Sequence, residues 1–326
     1  MKLRIATFNL ENLDITTSEP TLEQRKKILT PIIERMQADI ICFQEVHGQE
    51  TSNDKRELIA LLELLRGTTY ENYHLSTTKT ENPDKVYDKR NLVTISKFPI
   101  LESNQFKNDF IPAPFYKSVT EIPEPTQAGK IGLERPFLYS KIGINGAPIH
   151  IVNVHLKSRI PIPIKGQSRN FRYYTKWNSA AAWAEGSFIS SMKRVSQALE
   201  VRMFIDNLFD QDENAKVIVC GDFNAHPDEV PVQAICGSVE NHGNTALKNR
   251  EMLPCENTIP DSSRYTYLHH GKKRLLDHLL MSRNLLQYYR TSEIHNEVLP
   301  DESLAGASDQ KFPESDHAPF ISEFDF

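Results

Sequence analysis

The chain has 326 residues, 39% hydrophobic and 25% charged, with 38 basic side chains against 43 acidic ones and a net charge of −5. That is the composition of a soluble globular protein long enough to bury a core without disulfide or zinc staples. It excludes a protein that coats nucleic acid electrostatically over its whole surface, but not one with a local basic groove. No stretch approaches the ~18 apolar residues of a membrane helix, so no membrane association is expected. The N-terminal run meets Asn9, Glu11 and Asp14 too early for a secretory leader, and a cytoplasmic chain is expected.

In chain order, Leu3–Phe8 reads as a strand and Thr21–Gln37 as a helix that Pro31 should kink or split. A strand over Asp39–Phe43, a helix over Lys55–Leu65 and a strand over Leu92–Ser96 follow. From Phe106 to Pro136 the prolines at 112, 114, 123, 125 and 136 break any periodicity, and a loop of this length in a compact enzyme reads as functional or as a lid. Strands over Phe137–Ile144 and Ile149–Val154 precede the clearest helix, Trp177–Phe209. There Ala182, Ile189, Met192, Val195, Leu199 and Met203 recur at helical steps. Lys216–Cys220, Leu276–Met281 and Ala318–Phe324 complete the strands. The four cysteines show no metal-ligand spacing, and Cys42 and Cys220, set in apolar runs, read as reduced and buried.

Five apolar runs stop in carboxylates, carboxamides or histidines: IATFNLEN (Asn9, Glu11), DIICFQEV (Gln44, Glu45), IVNVHLKS (Asn153, His155), VIVCGDFN (Asp222, Asn224) and ESDHAPF (Asp316, His317). A sixth, RLLDHLLMS, puts Asp277 and His278 inside a strand. Taken singly, each has a plain reading as a turn or cap residue. Together, on strands lying side by side, they converge on one place rich in oxygen ligands and imidazoles, groups that are costly to bury unless paired or bound to metal.

These segments, with QE, GDFN and SDH in this order from Asn9 to His317, make the chain resemble the endonuclease/exonuclease/phosphatase superfamily. The resemblance implies an α+β fold, a four-layer α/β/β/α sandwich of two mostly antiparallel mixed sheets flanked by helices, as one domain over residues 1–326. It further implies Glu45 as principal ligand of Mg²⁺ or Mn²⁺, with Asn9 and Asp316 near the metal and Glu11 as an additional acid. By the same resemblance Asp222 orients or deprotonates the attacking water, and Asn224 positions water and phosphate. His317, with Asp277 as carboxylate partner, meets the scissile phosphate, and His155 contacts phosphate or protonates the leaving oxygen. Hard oxygen donors suit Mg²⁺ or Mn²⁺, and tunable imidazoles suit phosphodiester hydrolysis.

Two positions depart from pancreatic-type members. His47 stands where they place an arginine that probes the minor groove. Asp88, Lys89 and Arg90 stand near the place of the acid that pairs with the histidine equivalent to His155.

The stretch from Lys157 to Trp177 holds Lys157, Arg159, Lys165, Arg169, Arg172 and Lys176 with no acid, interleaved with Phe171, Tyr173 and Tyr174. Cations for phosphates and rings for bases, at ~1–3 kcal/mol per stack, point to a nucleic acid partner. Lys157, Arg159, Arg169, Arg172 and Tyr174 are therefore expected to bind substrate; the competing reading is a solvated loop that staples the next helix. The sequence predicts a metal-dependent nuclease. The alternatives are a phosphatase or a lipid- or inositol-directed phosphodiesterase with Phe106–Pro136 as an apolar lip, and a non-catalytic binding protein on the same fold. No protein partner is inferable.

Overall fold

A computed structural model describes residues 1–15, 19–51, 55–82, 85–170, 175–301, 303–304 and 312–326. Twelve strands form two six-stranded sheets. They are β1 (Lys2–Leu13), β2 (Ile40–Val46), β3 (His74–Thr77), β4 (Asn91–Ser96), β5 (Ile100–Phe106), β6 (Phe137–Ile144), β7 (Ala147–His155), β8 (Val217–Asp222), β9 (Met252–Pro254), β10 (Asp277–Ser282), β11 (Tyr289–Ile294) and β12 (Phe320–Asp325). The first sheet runs β11-β12-β1-β2-β4-β3 and the second β9-β10-β8-β7-β6-β5. Only β1–β2 and β7–β8 pair in parallel within them; the other neighbours are antiparallel.

Period-two alternation explains the layering. On β2, Ile40 and Cys42 join the apolar layer between the sheets, while Ile41 and Phe43 face the helix side. On β8, Ile218 and Cys220 face inward, and Val217 and Val219 face the other helix side. Helices α1 (Leu22–Met36) and α2 (Ile59–Leu65) cover the first sheet. Helices α3 (Ala180–Gln211) and α4 (Val230–Cys236) cover the second. The predicted α/β/β/α sandwich is thereby found, and its sheets are hydrophobic on both faces because both are covered. Each fully buried Leu, Ile or Phe contributes roughly 1.5–3 kcal/mol. All four cysteines are free and buried.

All eight predicted strands are present. The four not anticipated, β3, β5, β9 and β11, are the four sheet edges. Polar sequences such as YRTSEI in β11 and ILESNQF in β5 suit half-exposed edges and hide the apolar signal, while β9 (MLP) is too short to show a period. Helix α1 opens with a capping box in which Thr21 Oγ1 accepts from Gln24 N and Gln24 Oε1 accepts from Thr21 N. Of the two outcomes expected at Pro31, the split does not occur, and the helix runs through it. Pro31 lies on the exposed face, where water can satisfy the carbonyl it releases, and Leu29, Ile33 and Met36 anchor both sides. The helix expected from Lys55 begins only at Ile59. Asp277 begins β10 instead of lying within it, which puts its carboxylate at a strand end.

The stretch after β5 is held down at several points. Phe106 packs tilted, and Phe110 edge-on, against Phe204 of α3 at 5.0 and 5.6 Å between ring centroids. Glu185 of α3 accepts from Tyr116 Oη, Val119 N, Thr120 N and Thr120 Oγ1. Among the described residues, no helix is long and apolar enough to cross a membrane.

Candidate active site

The two sheets bring the ends of β1, β2, β7 and β8 and the start of β10 together, with residues 315–317 leading into β12. Backbone irregularity aims the side chains there. Glu11, Asn12, Glu45 and Asn224 all have positive φ, between 43° and 59°, and the β1–β2 and β2–β4 registers shift beside Asn9 and Glu45. Left-handed non-glycine residues gathered at one place are strained positions of the kind functional sites retain. Gly221 (φ +140°) lies against β7, where a Cβ would sit 1.9 Å from the Val154 carbonyl oxygen. Only glycine lets β8 approach this closely and still deliver Asp222.

Asp222 is the hub of the cluster. Its Oδ1 accepts from Asn224 N at 2.8 Å, and its Oδ2 accepts from Asn224 Nδ2 at 3.0 Å and Asn9 Nδ2 at 3.1 Å. His155 Nε2 lies 3.4 Å and His317 Nε2 3.9 Å from Oδ2. Burial pushes the Asp222 carboxyl up to about 7. His317 Nδ1 donates to Asp277 Oδ2 at 2.7 Å, which fixes the ring and turns Nε2 toward Asp222. Burial alone would depress His317, but the carboxylates of Asp277, Asp316 and Asp222 outweigh it and hold the imidazolium well above its usual range. Glu45 Oε2 accepts from Asn12 N at 3.1 Å, and its Oε1 lies 3.6 Å from His155 Nε2. Asp316 N donates to Glu11 Oε2 at 3.2 Å, and Ser315 Oγ donates to the Asn9 carbonyl at 2.7 Å.

The donor set fits a hard divalent cation. Asp222 and Asp277 bring buried carboxylate oxygens to within 4.8 Å of one another beside His317, whose imidazolium has no lone pair to offer a metal. Asp277 Oδ1 is buried with no hydrogen-bond partner among the described residues, and the carboxylates of Glu45, Asp316 and Glu11 belong to the same strand ends.

The structure thus gathers Asn9, Glu11, Glu45, His155, Asp222, Asn224, Asp277, Asp316 and His317. The basic segment divides differently. Lys157 is buried, and its ammonium donates to Ser158 O, Ser158 Oγ and Ile160 O, so its charge is taken up within its own turn. Arg159 pairs with Glu229 and donates from Nε to the Asn224 carbonyl at 3.1 Å, bracing the GDFN turn. Arg169 is exposed on a short ribbon pairing Ser168–Asn170 with Thr175–Trp177. Arg172 and Tyr174 lie outside the described residues. His47 bonds Asp14 and Asn12, each at 3.2 Å, and is buried beneath the turn after β1. Gln44 and Asn153 are structural: Gln44 Nε2 donates to Asn153 Oδ1 at 2.8 Å and ties the two sheets together.

Four contributors were not anticipated. Arg25 is buried and donates to the carbonyls of Leu10, Glu11 and Pro313, clamping the end of β1 to the approach to Asp316. Its signal was available, since it falls on the buried stripe Leu22–Arg25–Leu29–Ile33–Met36 of α1. Arg135 donates to His155 Nδ1, so a guanidinium occupies the ring nitrogen for which the resemblance implies an acid. Burial depresses His155 well below its usual range, and Arg135 adds to the effect. Glu256 Oε1 meets His278 Nδ1 at 2.5 Å in a fully buried pair, and His278 Nε2 reaches the Ala225 carbonyl at 2.9 Å, just beyond Asn224. Tyr267 bridges to His317, with ring centroids 5.3 Å apart.

This two-sheet sandwich, with its carboxylate–imidazole cluster at the strand ends, is the architecture of phosphoester-processing α/β/β/α proteins. The chain belongs to the Endonuclease/Exonuclease/phosphatase family, whose model matches residues 6–317. Among solved structures it is similar to truncated TDP2 from Caenorhabditis elegans, with 15% identity, a TM-score of 0.57 and coverage of 100% of this chain and 98% of that one. It is also similar to an AP endonuclease from Archaeoglobus fulgidus (15% identity, TM-score 0.53, 99% and 100% coverage). An endonuclease/exonuclease/phosphatase family protein from Bacteroides thetaiotaomicron matches likewise (16% identity, TM-score 0.58, 99% and 95% coverage). No curated protein sequence matches the chain.

Proposed function

We propose that this chain, acting as one domain over residues 1–326, is a divalent-metal-dependent phosphodiesterase, and specifically a nuclease acting on DNA or RNA. The observation that carries the reading is the convergence on Asp222 of two amides, Asn9 and Asn224, and two imidazoles, His155 and His317. Similarity to an AP endonuclease favours a nucleic acid substrate.

Glu45, Asn9 and Asp316 would hold Mg²⁺ or Mn²⁺, with Glu11 close by; the ion supplies Lewis-acid charge to a phosphate oxygen. Asp222, raised by burial into the neutral range, accepts the proton of the attacking water. The water oxygen bonds to phosphorus as the opposite P–O ester bond breaks, and the leaving oxygen takes a proton from solvent. Asn224 holds the Asp222 carboxylate and the incoming water in line. The His317 imidazolium, oriented by Asp277, donates from Nε2 to a phosphate oxygen and offsets the equatorial charge. Burial, reinforced by the Arg135 guanidinium at its Nδ1, keeps His155 neutral, and its Nε2–H serves as a fixed donor.

A second reading, a lipid-directed phosphodiesterase, draws on the exposed Phe115, Val119 and Ile122 in the stretch after β5. Hydrolysis with Mg²⁺ of single- and double-stranded DNA, RNA, inositol polyphosphates and sphingomyelin separates the two. Cleavage of a nucleic acid is expected. Activity confined to lipid or inositol phosphate would replace the nuclease reading, and silence on every substrate would remove both.

A further inference from the structure

Helices α1 and α3 cover the outer faces of the two sheets, but they meet solvent differently. The exposed positions of α1 include Glu23, Gln24, Lys27, Glu34 and Arg35, the charged outer stripe of an amphipathic helix. On α3 the outward row is Ala184, Phe188, Met192, Val195, Leu199 and Met203, with no charge at any of these positions. Phe188, Leu199 and Met203 are 50%, 47% and 42% exposed. The opposite side of the same helix is also apolar, where Ala198, Val201, Phe204 and Ile205 pack on the second sheet. A helix that is apolar all round is ordinarily enclosed all round. Among the described residues, Tyr116 shields one side of Phe188, with ring centroids 5.3 Å apart, while Leu199 and Met203 stay open to solvent.

The row is symmetric about a midpoint between Val195 and Ser196. Phe188 and Met203 stand equally far from it along the helix, and so do Met192 and Leu199. Two copies of α3 crossing antiparallel at that midpoint would set Phe188 of each against Met203 of the other, a favourable sulfur–aromatic contact, and Met192 against Leu199. The 188, 192, 195, 199 spacing is that of a knobs-into-holes seam. The ends also match: α3 carries no acid in its first turn, and an antiparallel copy brings Asp206 and Asp210 toward it, where the helix dipole favours negative charge. Such a pair would bury roughly 500 Å² on each copy, reaching the total of about 1,000 Å² that a specific interface needs. We propose that the outward face of α3 docks a second copy of this chain, forming a two-fold dimer whose α3 helices pack antiparallel about Val195. The proposal goes beyond the phosphodiesterase reading and does not depend on it.

The test is sedimentation velocity of the full chain, as wild type, Leu199→Lys and Val298→Lys, at loading concentrations up to about 100 μM, where a micromolar dimer is populated. Val298 is 63% exposed and follows Glu297, which pairs with Arg35 of α1 on the other side of the sandwich. Wild type and Val298→Lys should dimerise alike. Leu199→Lys, which puts an ammonium into the seam from each copy, should weaken association at least about 100-fold, with far-UV circular dichroism checking that it is folded. The near-isosteric Val195→Cys, oxidised with diamide, should give a disulfide-linked dimer. Wild type, whose four cysteines are buried, and Val298→Cys should give none. A monomeric wild type, an unchanged association constant in Leu199→Lys, or no cross-link through Val195→Cys would each overturn the dimer. A monomer that instead sediments with phosphatidylglycerol vesicles would assign the row to a lipid surface and overturn it equally.

Discussion

The side-chain amide of Asn9, at the end of β1 in one sheet, donates to Asp222 Oδ2, at the end of β8 in the other, at 3.1 Å. This bond and the Gln44–Asn153 bond join the sheets, but only the first ends on the carboxylate at the centre of the cluster. Asn9 therefore sets the position of Asp222 relative to Glu45 on the neighbouring strand β2.

Asp222→Ala should lower the hydrolysis rate by roughly 10²–10⁴-fold, the usual worth of a positioned general base. Asn9→Ala should cost about 10–100-fold, as expected for a group that orients a catalytic side chain. Thermal melts of Asp222→Ala should stay at or above the wild-type midpoint, because a buried carboxylate has been removed. Steady-state rates and melts on the same preparations check both statements.

Gly221→Ala should fail for a structural reason. Its Cβ would collide with the Val154 carbonyl, and β7 and β8 are paired through the length of the sheet there. A loss of at least about 2–3 kcal/mol in denaturant unfolding is expected, beyond the range of surface substitutions. Wild-type stability in this variant would mean that the strands separate more easily than their register implies.

The Glu256–His278 pair supports the GDFN turn from below. Glu256→Gln removes the charge facing a fully buried imidazole and should destabilise the fold by about 3 kcal/mol, as breaking one partner of a buried pair does. Restoring neutrality with the double variant Glu256→Gln/His278→Gln should recover part of that loss, which a double-mutant cycle in urea measures.

Glu185 provides a pH handle away from the Asp222 cluster. Burial would raise its carboxyl, but hydrogen bonds from Thr120, Val119 and Tyr116 outweigh it and bring the group down to about 2. Because the folded value lies below the unfolded one, its contribution is present above about pH 4.5 and lost as the pH falls toward 2. Proteolytic nicking between residues 106 and 136 should accelerate over that window in the wild type. In Glu185→Gln it should already be fast at pH 7.

Much of this was legible in the sequence. The central strands declared themselves because a sheet covered on both faces demands continuous apolar runs, and the carboxylates and imidazoles ending those runs are indeed the ones gathered around Asp222. What escaped notice obeys a different physics. Three of the edge strands carry mostly polar residues and so resemble loops, and the fourth, β9, is a three-residue MLP strand too short to show a period. Arg135 and Glu256 act through contacts with residues 20 and 22 positions away, across turns whose shape no local pattern encodes. Lys157 looked like a free cation because sequence does not reveal that its ammonium folds back on Ser158 and Ile160. Gln44 resembled a site residue because a buried amide that joins sheets and one that binds substrate both follow an apolar run.

The most direct test is the initial rate of DNA cleavage as a function of free Mg²⁺ for the wild type and Glu45→Ala. The account predicts saturable activation in the wild type, abolition by EDTA with full recovery on adding Mg²⁺, and a variant whose activity is lost or needs far more metal. Cleavage that persists in EDTA, or a Glu45→Ala variant with the wild-type metal dependence, would contradict it.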